Sequence, residues 1–181
     1  MLEIENTALA VIDVQGKLVN MIHEHTKIVT HIQHLIKASG AFGIPVLWSE
    51  QAPEKIGETV ASVKDLLHPR IKPIHKRSFS CYDCPEYLDL LKKINRRQIL
   101  ITGIETHVCV YQTARDLRRH GYEVHLIADA VSSRQQFDRD SAIARLRDEG
   151  ITITSTEMVI CELLKTADHP RFKDIIVHLK R

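Results

Sequence analysis

The hydrophobic positions of the chain follow two alternating patterns. Continuous apolar runs of strand length, rich in β-branched residues, are separated by longer stretches in which apolar side chains recur at helical spacing. The runs cover residues 7–14, 44–49, 97–103, 122–129 and 151–155. Such runs are typical of strands that are buried on both faces, so they predict a parallel sheet.

Helical periodicity fills the gaps between these runs. It predicts helices over residues 24–41, 85–94, 106–120, 138–149 and 156–165. Gly43, Gly121 and Gly150 closely follow three of these stretches, as is typical of helix C-termini. Because strand and helix alternate, the sequence predicts a three-layer α/β/α Rossmann-like fold with a mainly parallel sheet and right-handed crossovers.

Two segments depart from the alternation. Residues 50–84 form a long connection punctuated by prolines, with a short strand, IKPIHK, at 71–76. Long connections in compact domains are often functional. The C-terminal stretch DHPRFKDIIVHLKR predicts a last helix with Asp168 as its N-cap. Its apolar side chains at helical spacing are Phe172, Ile175, Ile176 and Leu179.

Composition indicates one domain with a small-molecule partner. A chain of 181 residues that is 44% hydrophobic can bury one sizeable core and contains no linker-like stretch, so we expect one domain over residues 1–181. The net charge is only +2 and the basic residues are scattered, which argues against nucleic acid and membrane partners. The N-terminal apolar run lacks a basic flank and is too short to span a bilayer, so we expect a cytoplasmic protein.

Three polar residues follow apolar runs, where open α/β sheets bind their ligands. Asp13 ends the first run, Lys76 ends the short strand, and Cys109 lies at a predicted helix start with Thr106 as N-cap. A helix start favours the nucleophilic thiolate form of a cysteine. Singly, Asp13 could be a capping residue, Lys76 a solvated lysine and Cys109 a core side chain. Together they are the components of a nucleophilic hydrolase.

Five segments, "ALAVIDVQ", "HKRSFS", "GIETHVCV", "YEVHLIADAVSSR" and "LRDEGITITSTEMVICELL", resemble the isochorismatase-like cysteine hydrolase family. They match in order from Thr7 to Leu164. The resemblance implies a six-stranded parallel sheet with helices on both sides, and it implies a homo-oligomer.

The same resemblance implies a role for each candidate residue. Asp13 would take the thiol proton, Lys76 would support the charged pair, and Cys109 would be the nucleophile. A non-proline cis peptide at Ile104–Glu105 would turn the Glu105 amide toward the amide of Cys109, and the two would form an oxyanion hole. The implied chemistry is hydrolysis through a thioester on Cys109.

The sequence departs from the nicotinamidases of this family at their metal site. Those enzymes carry Asp-x-His and a further His after the second strand, whereas this chain reads "WSEQAPEKIGETV" and has no histidine between His34 and His68. We therefore predict no metal and no cofactor. True isochorismatases cleave a vinyl ether, which does not require a cysteine nucleophile. Cys109 thus favours hydrolysis of a C–N bond, of amide type, in a small molecule.

The pocket and the other cysteines are less well determined by the sequence. Each pocket candidate could equally be a packing residue. These candidates are Gln51, Trp48, Phe79, Tyr82 and His107. Cys81 and Cys84 form a lone C-x-x-C without a second pair, so we expect thiols instead of a zinc or redox motif. Cys161 lies in the apolar stretch MVICELL, and we expect it in the core.

Two other function classes compete with a hydrolase. One is a catalytically idle α/β oligomeric module that acts by partner binding, although the presence of all three candidate catalytic residues argues against it. The other is a nucleotide-binding flavodoxin-like domain, which would need a glycine-rich phosphate loop that this sequence lacks.

Overall fold

The apolar runs form one parallel sheet. The computed structural model describes residues 1–67 and 71–177. Its strands are β1 Thr7–Ile12, β2 Val46–Gln51, β3 Ile74–Lys76, β4 Gln98–Ile104, β5 Glu123–Ser132 and β6 Thr152–Thr154. Their order is β3-β2-β1-β4-β5-β6, and every neighbouring pair is parallel. The predicted α/β fold with a six-stranded sheet is confirmed.

The helices of the described ranges lie mostly between the strands in the chain. They are α1 Gly16–Val19, α2 His25–Phe42, α3 Pro53–Ile56, α4 Ala61–Leu67, α5 Pro85–Ile94, α6 Tyr111–Arg119, α7 Gln136–Asp148, α8 Thr156–Leu164 and α9 Phe172–Ile176. A 3-10 turn, Ile4–Asn6, precedes β1, and a π-helical turn, Thr106–Val110, leads into α6. None of these helices is long and apolar enough to cross a membrane.

Alternate residues of the central strand face two separate helical layers. Leu9 and Val11 pack into the core formed with α2, α4 and α8, whereas Ala8, Ala10 and Ile12 pack into the core formed with α5, α6 and α7. All five side chains are fully buried. This two-sided burial explains why β1 reads as an unbroken apolar run instead of an alternating one.

The strand order reverses between β1 and β4, which is the switch point where doubly wound sheets bind ligands. Ile12 pairs with Gly103 at this point. The φ angle of Gly103 is +134°, and a Cβ there would lie 2.1 Å from the carbonyl oxygen of Ile12. Only glycine allows the two strands to approach this closely at the site.

Several element boundaries differ from the predictions. β5 extends to Ser132, past a register shift in its pairing with β4. The predicted helix 106–120 begins as a π-helical turn. Asp168 does not cap the last helix, since α9 begins after Arg171, and the Asp168 amide donates to Thr166 Oγ1 at 3.2 Å. Leu179 lies outside the described residues.

Candidate active site

Asp13 lies where the chain leaves β1 and turns into the site. Its φ angle of 53° is in the left-handed region, which Asp tolerates better than most residues. The residue is 2% exposed, and its Oδ1 accepts a hydrogen bond from Ser49 Oγ at 2.8 Å. The turn thus removes a carboxylate from solvent and fixes one of its oxygens.

Lys76 ends β3 and is paired with that carboxylate. Its Nζ lies 2.7 Å from Asp13 Oδ2, and its side chain is 0% exposed. Nζ also donates to Gln51 Oε1 at 2.7 Å and to the carbonyl oxygens of Phe79 and Ser78 at 3.1 and 3.2 Å. Burial lowers the pKa of Lys76, but the charge of Asp13, its hydrogen bond to Lys76 and the neighbouring Cys81 and Cys109 together outweigh burial, and the net pKa is raised. Lys76 is therefore a buried ammonium ion and not a solvated surface lysine.

Cys109 lies in the π-helical turn after β4 and is 7% exposed. Burial raises the pKa of its thiol, and the Asp13 carboxylate raises it further through its charge and as a hydrogen-bond acceptor, while the Lys76 ammonium opposes both effects. The expectation of a thiolate at a helix start is therefore wrong for the resting protein. Desolvation and a neighbouring carboxylate outweigh the helix terminus, so Cys109 is a neutral thiol.

The start of this turn also differs from the prediction. Glu105, and not Thr106, is the N-cap residue, and the buried Thr106 Oγ1 has no hydrogen-bond partner among the described residues. The Glu105 carboxylate accepts hydrogen bonds from Arg134 Nε at 2.6 Å and from the Arg134 amide at 3.3 Å. His107 Nδ1 also lies 3.3 Å from it. The side chain of Glu105 is thus held by other groups, and its proposed part in an oxyanion hole falls to its backbone amide.

Two of the pocket candidates have other partners in the structure. Trp48 is 1% exposed in the α2 layer, and its indole Nε1 donates to Thr59 Oγ1 at 2.8 Å. The prediction that it shapes the pocket is corrected, because its strand position faces the opposite layer from Cys109. Gln51 accepts from Lys76 and donates through Nε2 to the Arg77 carbonyl at 2.8 Å, so its amide holds the lysine.

The other pocket candidates are more accessible. Phe79 is 53% exposed, beside the lysine that its carbonyl oxygen binds. His107 lines a cavity of about 160 Å³ with Tyr111, Asp138, Ser141, Ala142 and Arg145. Tyr82 stacks on His120 with ring centroids 4.1 Å apart. Of this group, Phe79 is the residue bonded to the Asp13–Lys76 pair, through its main-chain carbonyl oxygen.

Sequence reasoning missed three residues that support the site. Ser49 binds Asp13, and Cys81 Sγ donates to Ser49 Oγ at 3.6 Å. Gln15 Oε1 accepts from the Gln51 amide at 2.7 Å, and Gln15 Nε2 donates to the Gln51 carbonyl at 3.0 Å. The available signals were weak: Ser49 is a polar residue in a buried strand, and Gln15 follows Asp13 by two positions.

No group of three or more His, Cys, Asp or Glu side chains within residues 1–67 and 71–177 is arranged to hold a metal ion. Glu50, the acid nearest the family's metal position in the sequence, accepts from the Thr59 amide at 2.7 Å and from Thr59 Oγ1 at 2.8 Å. Its Oε2 lies 3.3 Å from His75 Nε2. The carboxylate is therefore committed to the α2 layer, on the opposite face of β2 from Ser49.

The three cysteines other than Cys109 differ in exposure. Cys81 and Cys84 are buried thiols, whereas Cys161 is exposed on α8. The expectation that Cys161 lies in the core is wrong, because its position in the helix points away from the buried side chains of α8.

Comparison with known proteins agrees with the fold and the segments quoted above. The family model described as the isochorismatase domain matches residues 7–158. Isochorismatase domain-containing protein 2 of Danio rerio is 37% identical over 174 residues, which cover 96% of this chain and 87% of the relative.

Solved structures agree as well. The structure of MAR1 ribonuclease from Caenorhabditis elegans is 35% identical, with a TM-score of 0.93 over 98% of this chain and 91% of that one. The YcaC gene product of Escherichia coli, described as an octameric hydrolase of unknown specificity, shares the fold at 22% identity, with a TM-score of 0.88 over 98% of this chain and 86% of that one. Since the family model spans most of the chain and the relatives cover nearly all of it, the chain belongs to the isochorismatase family.

Proposed function

We propose that the protein is a metal-independent cysteine hydrolase that cleaves a C–N bond of a small carboxamide through a thioester on Cys109. One observation carries the proposal. A buried ammonium–carboxylate pair, Lys76 and Asp13 at 2.7 Å, meets the Cys109 thiol at the switch point of the sheet. Burying an ion pair costs free energy that apolar side chains in the same place would not cost. The presence of the pair beside a cysteine therefore supports a catalytic role.

The resting site holds a proton on sulfur and a negative charge on Asp13. When a substrate carbonyl carbon lies against Sγ, the S–H bond breaks, Asp13 takes the proton, and the S–C bond forms as the carbonyl π electrons move to oxygen. The amides of Glu105 and Cys109 stabilise that oxyanion. Lys76 keeps its charge throughout and holds the carboxylate in position.

The tetrahedral adduct then collapses. Asp13 returns the proton to the leaving nitrogen, the C–N bond breaks, and ammonia or an amine departs from a thioester on Cys109. Water attacks the thioester carbon while Asp13 takes a proton from it. In the second adduct the C–S bond breaks, a carboxylic acid departs, and Asp13 returns the proton to sulfur, which restores the resting thiol.

A second candidate substrate is RNA, because the Caenorhabditis elegans relative at 35% identity bears the name ribonuclease. Two features of this chain favour the small carboxamide instead. The only cation of the Lys76–Asp13–Cys109 cluster is neutralised by Asp13 and removed from solvent, and the net charge of the chain is only +2. An RNA-cleaving site gains most of its affinity from exposed cations that contact phosphates.

We also propose a homo-oligomer. Several large apolar side chains are exposed on the described surface, among them Phe79 at 53%, Phe137 at 81% and Met158 at 60%. A protein of the same fold is described as octameric. Light scattering coupled to size-exclusion chromatography tests this point directly.

The function is tested by an ammonia-release screen over primary carboxamides, run in parallel with cleavage of a labelled RNA. Cys109→Ala is expected to abolish ammonia release, whereas Cys161→Ala, which removes an exposed thiol outside the site, keeps it. Full turnover by Cys109→Ala would refute the thioester scheme. RNA cleavage that requires Cys109, without amide turnover, would establish the second candidate. If neither substrate is turned over, the result would favour a catalytically idle module that acts by partner binding.

A further inference from the structure

A second cysteine lies next to the proposed site, and the mechanism above does not use it. Cys81 is fully buried, and its Sγ donates to Ser49 Oγ at 3.6 Å. Ser49 is also fully buried, and its Oγ donates to Asp13 Oδ1 at 2.8 Å. The three side chains thus form a chain of hydrogen bonds that ends on the acid.

The donors and acceptors in this series of hydrogen bonds follow from the number of protons that each side chain has. A serine hydroxyl has one proton, and Ser49 gives it to Asp13, so Ser49 can only accept from Cys81. Cys81 must therefore be protonated. Burial, together with the charge of Asp13, raises the pKa of Cys81 to about 11, which keeps it a thiol at neutral pH.

These hydrogen bonds also connect to the segment that contains the proposed nucleophile, Cys109. The Cys81 amide donates to Thr113 Oγ1 at 2.9 Å, and Thr113 is fully buried. Thr113 follows Cys109 by four residues, which is about one helical turn. On the other side, the Asp13 amide donates to the Ser49 carbonyl at 3.2 Å. Ser49 and Cys81 therefore connect the acid on β1 to the helical segment after β4.

The two oxygens of Asp13 are consequently different. Oδ1 is occupied by the Ser49 hydroxyl. Within the described part of the chain, no aligned hydrogen bond reaches Oδ2; Lys76 Nζ lies 2.7 Å from it, and the Cys109 thiol interacts with the same carboxylate. An acceptor without a donor is the oxygen that is available to receive a thiol proton.

We propose that Ser49 and Cys81 are positioning residues for the hydrolysis, which hold Asp13 through Oδ1 and leave Oδ2 to exchange the proton with Cys109. This inference rests on the proposed function. A hydrogen bond to a carboxylate generally favours its ionised state, so the Ser49 contact is tested by removing this donor. Among the described residues, the other charged or titratable groups that interact with Asp13 are Lys76, Cys109, Cys81 and the buried Tyr87.

Ser49→Ala removes the donor to Oδ1 and leaves the proposed nucleophile, acid and lysine in place. We expect kcat/KM to fall about tenfold and the acidic limb of its pH profile to move up by about one pH unit, because the carboxylate protonates more easily. Cys81→Ala is expected to give a smaller change in the same direction. Cys81→Ser keeps a donor to Ser49 and is expected to restore the parent profile.

The matched control is Ser39→Ala, which removes another buried serine hydroxyl, in α2. It is expected to leave the pH profile unmoved. A purely structural role for Ser49 would lower stability without moving the limb, so the limb is the deciding readout. If Ser49→Ala does not fold, the comparison of Cys81→Ala with Cys81→Ser decides.

A second measurement needs no substrate. The Asp13 carboxyl carbon is observed by NMR in protein labelled with ¹³C-aspartate, with Asp13→Asn used for assignment, and titrated against pH in each variant. We expect the Asp13 titration to move to higher pH in Ser49→Ala and to stay in place in Ser39→Ala. An unmoved titration in both Ser49→Ala and Cys81→Ala overturns the proposal. Because the titration does not depend on turnover, an incorrect substrate class would leave it interpretable.

Discussion

Replacing Asp13 by Asn is expected to increase the chemical reactivity of Cys109 while it abolishes hydrolysis. Burial and the carboxylate raise the pKa of the thiol and the Lys76 ammonium lowers it, so Asp13→Asn removes the negative charge that opposes the cation. A unit charge about 4 Å away at an effective dielectric constant of about 20 contributes about 4 kcal/mol. That energy corresponds to a factor on the order of a thousand in thiolate population. The dipole of Asn and local rearrangement reduce the effect, so we expect at least about tenfold faster alkylation of Cys109.

Turnover should change in the opposite direction. Asn cannot accept the thiol proton or return it to the leaving nitrogen, and loss of a general acid–base catalyst slows a reaction by about a hundredfold or more. Lys76→Met provides the opposite charge change: the pKa of Cys109 is expected to rise further, and both alkylation and turnover are expected to slow. Reactivity and catalysis are therefore predicted to separate in one variant and to fall together in the other.

The assay is labelling with iodoacetamide at neutral pH, read by mass spectrometry of the peptide that contains Cys109. The exposed Cys161 serves as an internal reference in the same sample. Glu50→Gln removes another buried carboxylate, on the opposite face of β2, and is expected to leave Cys109 labelling unchanged. Unchanged or slower labelling of Cys109 in Asp13→Asn would refute the assignment of a neutral resting thiol.

Two further predictions concern stability. Gly103→Ala places a Cβ 2.1 Å from the Ile12 carbonyl oxygen at a φ of +134°, so it should lower the free energy of unfolding, measured in urea, by more than about 3 kcal/mol. Gly121 has a φ of +84° and no atom within 4 Å of its added Cβ, so Gly121→Ala should lower it by only about 1 kcal/mol. Equal losses for the two would contradict the close approach of β1 and β4. The stabilisation linked to the Cys81 thiol is fully present below its ordinary pKa of 9.0 and is lost as pH rises through about 11, so the parent should lose stability over this range more steeply than Cys81→Ala. Parallel pH dependences in urea unfolding would count against the buried neutral thiol.

The sheet and the proximity of the candidate catalytic residues could be predicted from the sequence. Parallel strands present their carboxyl ends at one edge, so polar residues that follow β1, β3 and β4 are brought together by topology alone. Asp13, Lys76 and Cys109 occupy those three places. The family resemblance then gave each of them an expected role.

The protonation state of Cys109 could not be predicted in the same way. A helix start suggests a thiolate, but the pKa of the thiol depends on how deeply the sulfur is buried and how near the carboxylate lies. Neither quantity can be read from the spacing of residues along the chain. The prediction that Trp48 shapes the pocket was wrong for a related reason. Neighbouring strand residues face opposite layers, and the apolar pattern of β2 does not indicate which layer contains the site.

The Gln15 side chain has a consequence for how the acid can be presented at all. A primary amide carries the same donor and acceptor as a peptide unit, and Gln15 applies both to the backbone of Gln51. The side chain therefore acts as one additional rung of the ladder after β1 has ended at Ile12. The main chain is free to swing out at Asp13 while the edge of β2 remains satisfied. The spacing of two positions from Asp13 to Gln15 is thus a constraint on the fold. After a deletion between them, this segment could either continue the pairing with β2 or turn the Asp13 carboxylate into the site, but it could not do both.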